Sequence, residues 1–181
     1  MVYAVIFVAF LIVLYWIVTF NSLIKFRNWV NEAWAQIDVQ LKRRYDLIPN
    51  LIETVKGYMK YEQETLEKVV QARNSLMNGS SRSNQIEAND LLSGTLKSLF
   101  ALSEGYPDLK ANRSFVQLQE ELSGTENKIA YSRQLYNNTV MKYNTKIQSF
   151  PSNLIAVVHG FKAEQMLETK SEERENVRVS F

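Results

Sequence analysis

The chain of 181 residues carries 21 Lys and Arg against 19 Asp and Glu, a formal net charge of +2 that creates no strong attraction to nucleic acid. It has no cysteine and one histidine, which excludes disulfides, thiolate zinc sites and a cysteine nucleophile. Its glycines are isolated, so no glycine-rich phosphate loop is present. We therefore expect no cofactor, no metal site and no nucleic-acid partner.

The N-terminal segment differs from the rest of the chain. Residues 1–24 contain no Asp, Glu, Lys or Arg, and Val2 to Phe20 reads VYAVIFVAFLIVLYWIVTF. A helix of about 20 such residues spans the ~30 Å hydrocarbon core of a bilayer. No basic residue precedes the apolar run and no small-x-small cleavage site follows it, unlike in a secretory signal peptide. The segment 1–24 is therefore predicted to be an uncleaved transmembrane anchor and not a buried core helix.

The residues at the end of this segment suggest where the membrane surface lies. Tyr15 and Trp16 are near the boundary, where amphipathic rings favour the interface, and Lys25, Arg27 and Trp29 follow directly. Cations on this side favour a single-pass protein of the cell membrane whose N-terminus is outside and whose large domain is cytoplasmic. The opposite orientation stays open, because very few charges decide it.

The body, residues 25–162, repeats apolar residues at steps of three and four, which is typical of amphipathic helices. We predict helices over approximately 25–77, 84–104 and 112–149, and a short one over 152–159. The first would continue the anchor helix without a linker and would kink at Pro49, which lacks an amide donor. Residues 163–181 are charged and weakly periodic, which predicts a flexible tail.

These elements predict an all-α fold. Helices with short connections pack antiparallel, so we expect a bundle of three to four helices, or a coiled-coil-like rod, with a very long first helix. A first helix that extends beyond its partners would need another subunit to cover its apolar face. The pattern therefore also predicts self-association.

One polar cluster in the first helix allows two interpretations. Lys42, Arg43 and Arg44 precede Tyr45 and Asp46. Consecutive cations point to different sides of a helix, so the favoured interpretation is a solvated surface with pairs such as Lys42 with Asp46. The alternative turns Arg43 or Arg44 inward to pair with acids of the third long helix. Those acids would be Glu120, Glu121 or Glu126, and buried pairs of this kind can specify helix register.

We therefore take the interaction candidates from this region, and we assign no catalytic residue. The candidates are Trp34, Arg43, Arg44, Tyr45, Asp46 and Pro49. His159 lies in a short segment without the surroundings of a catalytic triad, which favours a structural or solvent-facing role.

Long stretches of the chain resemble the LemA family of bacterial proteins. They are EAWAQIDVQLKRRYDLIPNLIETVKGY from Glu32, SEGYPDLKAN from Ser103, LQEELSGTENKIAYSRQLYN from Leu118, YNTKIQSFPSNLIA from Tyr143, and the ending in Val-Ser-Phe. The resemblance implies a single membrane anchor and an antiparallel helical bundle. It implies no enzymatic activity. It also implies an association with membrane zinc metalloproteases that degrade damaged membrane proteins.

Three functions follow as hypotheses. The preferred one is a non-enzymatic membrane-anchored scaffold or adaptor that contacts the lipid bilayer, itself, and a membrane metalloprotease or another membrane protein. The alternative is a structural protein that assembles into oligomers and organises or shapes the membrane. An enzyme of unknown type is the third hypothesis and the least supported, because the chain has a single histidine and no cysteine.

Overall fold

The computed structural model describes residues 1–59 and 61–168, and it confirms an all-α fold with a very long first helix. Helix α1 is Val2–Lys56, and the described residues contain no strand. The later helices are α2 Gln63–Asn78, α3 Arg82–Ser103, α4 Pro107–Lys110, α5 Arg113–Gln148 and α6 Ser152–Val158.

The chain divides into two compact units, and α1 and α5 contribute to both. The first unit comprises Met1–Ile37 and Tyr131–Met166, that is, the beginning of α1, the end of α5, and α6. The second comprises Asp38–Ala130, which holds the end of α1, α2 to α4 and the beginning of α5, together with the described residues 167 and 168.

In the first unit, the apolar stripe of α1 is buried from Leu23 onward. Leu23, Val30 and Ile37 are fully buried, and they recur at intervals of seven residues. The indole of Trp34 meets the phenol ring of Tyr136 edge to face, with centroids 5.9 Å apart. This seam buries one face of α1 against α5, while residues 2–18 of the same helix are exposed and almost entirely apolar.

The chain after α6 is held against α5 by polar side chains of that helix. Tyr143 donates its hydroxyl hydrogen bond to the carbonyl of Lys162 at 3.0 Å, and Tyr136 donates to the carbonyl of Gln165 at 3.2 Å. The Asn144 amide bonds to both the carbonyl and the N–H of Glu164. Burial raises the pKa of the Tyr143 phenol above its ordinary value, which keeps it protonated as a donor.

This arrangement differs from the flexible tail predicted from residue 163. Residues 163–168 form neither a helix nor a strand. Side chains of α5 nevertheless form hydrogen bonds with backbone groups of Glu164 and Gln165, and such bonds offset the cost of removing these groups from water. Weak periodicity correctly indicates the lack of a helix, but it carries no information about side chains elsewhere that bind the backbone. The remainder of the predicted tail lies outside the described residues.

In the second unit, the first helix ends earlier than predicted. The sequence pattern extends it to residue 77, whereas α1 ends at Lys56, before Gly57, and α2 begins at Gln63. Gly57 weakens a helix by about 1 kcal/mol relative to alanine, and no proline forces the break. The break lets α2 bury its own stripe in this unit, which consists of Leu66, Val69, Ala72 and Leu76.

Pro49 does not end the helix, which continues for seven residues beyond it to Lys56. Proline has no N–H, so the carbonyl of Tyr45 lacks its ordinary helical donor. Arg73 of α2 takes that place, because its Nε donates to the Tyr45 carbonyl at 3.2 Å. The same guanidinium lies over the Tyr45 ring, 3.8 Å from its centroid. The acceptor freed by Pro49 therefore joins α2 to α1.

The remaining helix ends follow local capping chemistry. Ser81 caps α3 by accepting a hydrogen bond from the Asn84 N–H, so α3 starts two residues before the predicted position. The Asn112 side chain accepts from the N–H groups of Ser114 and Phe115, which places the start of α5 where it was predicted. Pro107 occupies the first turn of α4, where its missing N–H costs nothing.

The link between Pro49 and Arg73 can be tested by a double-mutant cycle. Arg73→Met should lower the free energy of unfolding by about 1–2 kcal/mol, because it removes a hydrogen bond and a cation–π contact. In a Pro49→Ala background the loss should shrink by roughly 0.5–1 kcal/mol, because the N–H of residue 49 can then bond to Tyr45. Chemical unfolding of the detergent-solubilised chain, followed by circular dichroism, measures both values.

The matched control is Lys68→Met on the same helix, which removes only an exposed pair with Glu64. It should cost less than about 0.5 kcal/mol in either background. Equal costs of Arg73→Met with and without Pro49 would contradict the link.

Candidate functional site

The structure places the predicted interface residues at the end of the exposed apolar part of α1. Tyr15, Lys25, Arg27 and Trp29 are exposed, and Trp16 lies at the margin of exposure. The Lys25 ammonium sits over the Trp29 ring, 4.9 Å from its centroid. Within residues 1–59 and 61–168, no ring contact or hydrogen bond joins Tyr15 to the other four. Of these five residues, Lys25 and Trp29 are therefore joined by a local contact within α1.

Two of these residues contact the chain around α6. The Trp16 indole N–H donates to Nε2 of His159 at 3.1 Å, and the His159 ring stacks at a tilt on Phe20, with centroids 4.5 Å apart. The Arg27 guanidinium lies over the Phe161 ring, 5.5 Å from its centroid. Sequence reasoning did not connect His159 with Trp16, because nothing in the spacing of residues 143 positions apart indicates a contact.

The polar cluster of the second unit is divided between the surface and the core. Arg43 is about half exposed and pairs with Glu121 at 3.2 Å, and Lys42 pairs with Asp46 on the surface of α1. Arg44 is only 1% exposed. The favoured interpretation, a wholly solvated cluster, therefore describes Lys42 and Asp46, while Arg44 adopts the inward alternative.

Arg44 is held by side chains from α3 and α5. One terminal nitrogen donates to Oδ1 of Asn89 at 2.8 Å and to Oγ of Ser93 at 2.9 Å. The other lies 3.5 Å from a carboxylate oxygen of Glu126. Burial lowers the pKa of the guanidinium, and the carboxylates of Glu126 and Asp90 oppose that shift. A guanidinium stays charged at neutral pH, so this cluster places a permanent cation inside the unit.

Sequence reasoning named Glu126 as a partner but missed Asn89 and Ser93. Both are buried residues of α3, and they interrupt the apolar stripe of that helix between Ile86 and Leu96. Two polar residues at core positions one turn apart are the signal that could have revealed them, because buried polar groups require partners. The identity of their partner could not be predicted in the same way, since Arg44 lies 45 residues before Asn89 and 49 residues before Ser93.

A cavity of about 530 Å³ adjoins this cluster. Its lining includes the cations Arg44 and Lys97 and the carboxylates Asp90 and Glu126, so charges of both signs balance. The lining also includes Ser123 and Gln119 but no histidine to activate a hydroxyl nucleophile. Within residues 1–59 and 61–168, no group of three or more His, Asp or Glu residues is placed to hold a metal ion.

The fold and these sites define a class: an all-α protein with a polar core cluster which, in the part of the chain that the structure describes, has one helix long and apolar enough to cross a membrane. That helix is α1, and its spanning stretch is almost unburied, unlike the core helix of a compact protein. The chain belongs to the LemA family, whose model matches residues 33–181. The matched region includes Arg44, Asn89, Ser93 and Glu126.

A curated relative agrees with this assignment. The chain is 30% identical over 137 residues to Protein LemA of Metamycoplasma hominis. The match covers 75% of this chain and 63% of the relative, which is less than two thirds of the relative's length.

The role of Arg44 can be tested by comparing two adjacent arginines. Arg44→Lys should lower the free energy of unfolding by about 3 kcal/mol, because one ammonium cannot reach Asn89, Ser93 and Glu126 from a fixed buried position. Arg43→Lys, the control, should change it by less than about 0.5 kcal/mol, because its pair with Glu121 is exposed. Unfolding of both variants in detergent, followed by circular dichroism, gives the comparison. Similar costs for the two variants would show that burial of Arg44 does not matter.

Proposed function

We propose that this LemA-family protein is a single-pass membrane protein that acts as a non-enzymatic scaffold or adaptor, through contacts with other membrane proteins. One observation carries the proposal. Residues 2–18 of α1 expose an apolar surface all round, whereas Leu23, Val30 and Ile37 of the same helix are fully buried. An apolar helical segment of this length is stable in hydrocarbon and costly in water. The first part of α1 is thus the anchor, and the helix leads directly into the folded body.

The chemical inventory supports a role without catalysis. The chain's single histidine, His159, accepts a hydrogen bond from Trp16 and packs on Phe20. These contacts favour a structural role for it. The cavity beside Arg44 has balanced charges and hydroxyls, and its lining contains no histidine that could activate a hydroxyl as a nucleophile. Arg44 itself is committed to Asn89, Ser93 and Glu126. These features favour a stable helical domain that functions through contacts made by its surface.

Exposed apolar residues of α5 indicate where a protein partner would bind. Tyr131 is 70% exposed, and Leu135, one turn further along, is also exposed. Aromatic and aliphatic side chains on the same helix face are typical of protein contact surfaces. The partner we propose is a membrane protein, with the membrane zinc metalloproteases associated with the family as the first to test. The alternative function, a membrane-organising oligomer, would use the same surface for self-association.

Photo-crosslinking from this surface tests the adaptor. A photoreactive phenylalanine analogue in place of Tyr131 should give a discrete crosslinked product in native membranes, because the side chain already faces outward. The same analogue at Gln117, an exposed polar position of α5, is the control and should give none. Mass spectrometry then identifies the captured protein. A specific membrane protein supports the adaptor, a product containing only this chain supports the oligomer, and a smear of abundant neighbours from both positions argues against both.

Orientation requires its own experiment. Lys25 and Arg27 are exposed beyond the apolar segment and favour a cytoplasmic body. Because the chain has no cysteine, single cysteines can be introduced at Val2 and at Gln117 without competing thiols. A membrane-impermeant maleimide added to intact cells should label the cysteine at position 2, and it should label the one at position 117 only after lysis. The reverse pattern would place the body outside the cell.

A further inference from the structure

A second uncharged stretch of the chain surrounds α6. Residues 147–161 contain no Asp, Glu, Lys or Arg. One face of this segment is buried in the first unit through Ile155 and Ala156. The other face exposes large apolar side chains: Phe150 is 81%, Leu154 56%, Val157 79% and Val158 66% exposed.

Exposure of such an apolar face to water is unfavourable in free energy. Exposed apolar area costs roughly 25 cal/mol per Å², and isolated exposed residues are normal, but a contiguous patch indicates a binding surface. The outward positions at the end of α6 are occupied by Val157 and Val158. The composition of this face therefore indicates that it contacts an apolar partner or medium.

The C-terminal end of α6 and the residues that follow it contact the apolar part of α1. His159, directly after α6, accepts the hydrogen bond of Trp16 and packs on Phe20. The Phe161 ring also meets the Phe20 ring, with centroids 6.0 Å apart. The end of α6 thus lies beside the last part of the apolar segment that we propose as the anchor, and the two exposed apolar surfaces are adjacent.

Cations lie at the C-terminal end of this segment. Arg27 lies over Phe161, and Lys25 and Lys162 are exposed. Along α1, Trp16 and Arg27 are separated by about 16 Å. An interfacial element places its apolar side chains about 5–10 Å into the boundary between headgroups and acyl chains, with its cations towards anionic headgroups. The order of apolar face, aromatic rings and cations along α1 matches this distribution.

We propose that α6 and its flanks form a second membrane-contacting element, in which Phe150, Leu154, Val157 and Val158 insert into the leaflet beside Trp16 and Phe20. This inference rests on the proposed anchoring of α1. Lipid is the occupant, because the face is continuous with a segment whose exposed side chains are apolar all round. The element attaches the first unit to the membrane at a second point, through residues remote in sequence from the anchor.

Depth-sensitive fluorescence on the full-length protein tests the insertion. Single cysteines replace Val157, Ile12 and Gln134 in turn, and each is labelled with an environment-sensitive nitrobenzoxadiazole probe. Each variant is reconstituted into phosphatidylcholine–phosphatidylglycerol vesicles. The vesicles are prepared with and without lipids brominated on their acyl chains, which quench the probe. Ile12 reports the anchor, and Gln134 is an exposed polar position of α5 in the same unit. The probe at position 157 should show blue-shifted emission and several-fold stronger quenching by brominated lipid than the probe at position 134.

The variants should fold normally, because Val157 is exposed and its replacement removes no packing; unchanged helicity by circular dichroism checks this. Leu154→Cys repeats the measurement at a second exposed position. Quenching at position 12 without quenching at 157 and 154 overturns the insertion of α6 and leaves the anchor intact. Blue-shifted emission at 157 that brominated lipid does not quench means that protein, such as a second copy, covers the face, and it also overturns the proposal. Absence of quenching at positions 12 and 157 overturns both the anchor and the insertion.

Discussion

Burial of the apolar face of α1 is the constraint on which the described structure depends. A helix of 55 residues cannot hide its own apolar stripe, so other elements must cover it. In the first unit Leu23, Val30 and Ile37 are fully buried, and in the second unit Ile48 and Val55 are fully buried. Residues 2–18 are exposed without interruption, and a bilayer is the medium that would accommodate their apolar side chains.

Polar groups inside the second unit add specificity to this burial. Apolar stripes can slide by one turn at small cost, whereas a buried guanidinium tolerates few positions, because its charged terminal nitrogens need acceptors nearby. Arg44 requires Asn89 and Ser93 of α3 together with Glu126 of α5. The carbonyl freed by Pro49 likewise has a defined partner in Arg73 of α2. Each contact relates α1 to a different helix of the unit.

Much of the helical structure was predictable because its signals are local. Periodicity identified α3 and α5, and their observed ends lie within a few residues of the predicted ones. The end of α1 before Gly57 was not predictable in this way, because the apolar period continues past it and glycine alone weakens a helix only slightly. The break is favoured by packing of α2 onto the rest of the unit, and packing energies are not visible in a single segment.

The candidate sites show the same division. The sequence by itself determined the all-α class, the apolar segment of α1, the exclusion of cysteine chemistry, and the family to which the chain belongs. Periodicity, composition and residue identity are local properties of the chain, so they can be read from the sequence alone. Only the tertiary structure decided which of two adjacent arginines is buried, which side chain replaces the donor missing at Pro49, and that His159 contacts Trp16. Those outcomes depend on which distant helix faces come together, and that is set by the free energy of packing the whole unit.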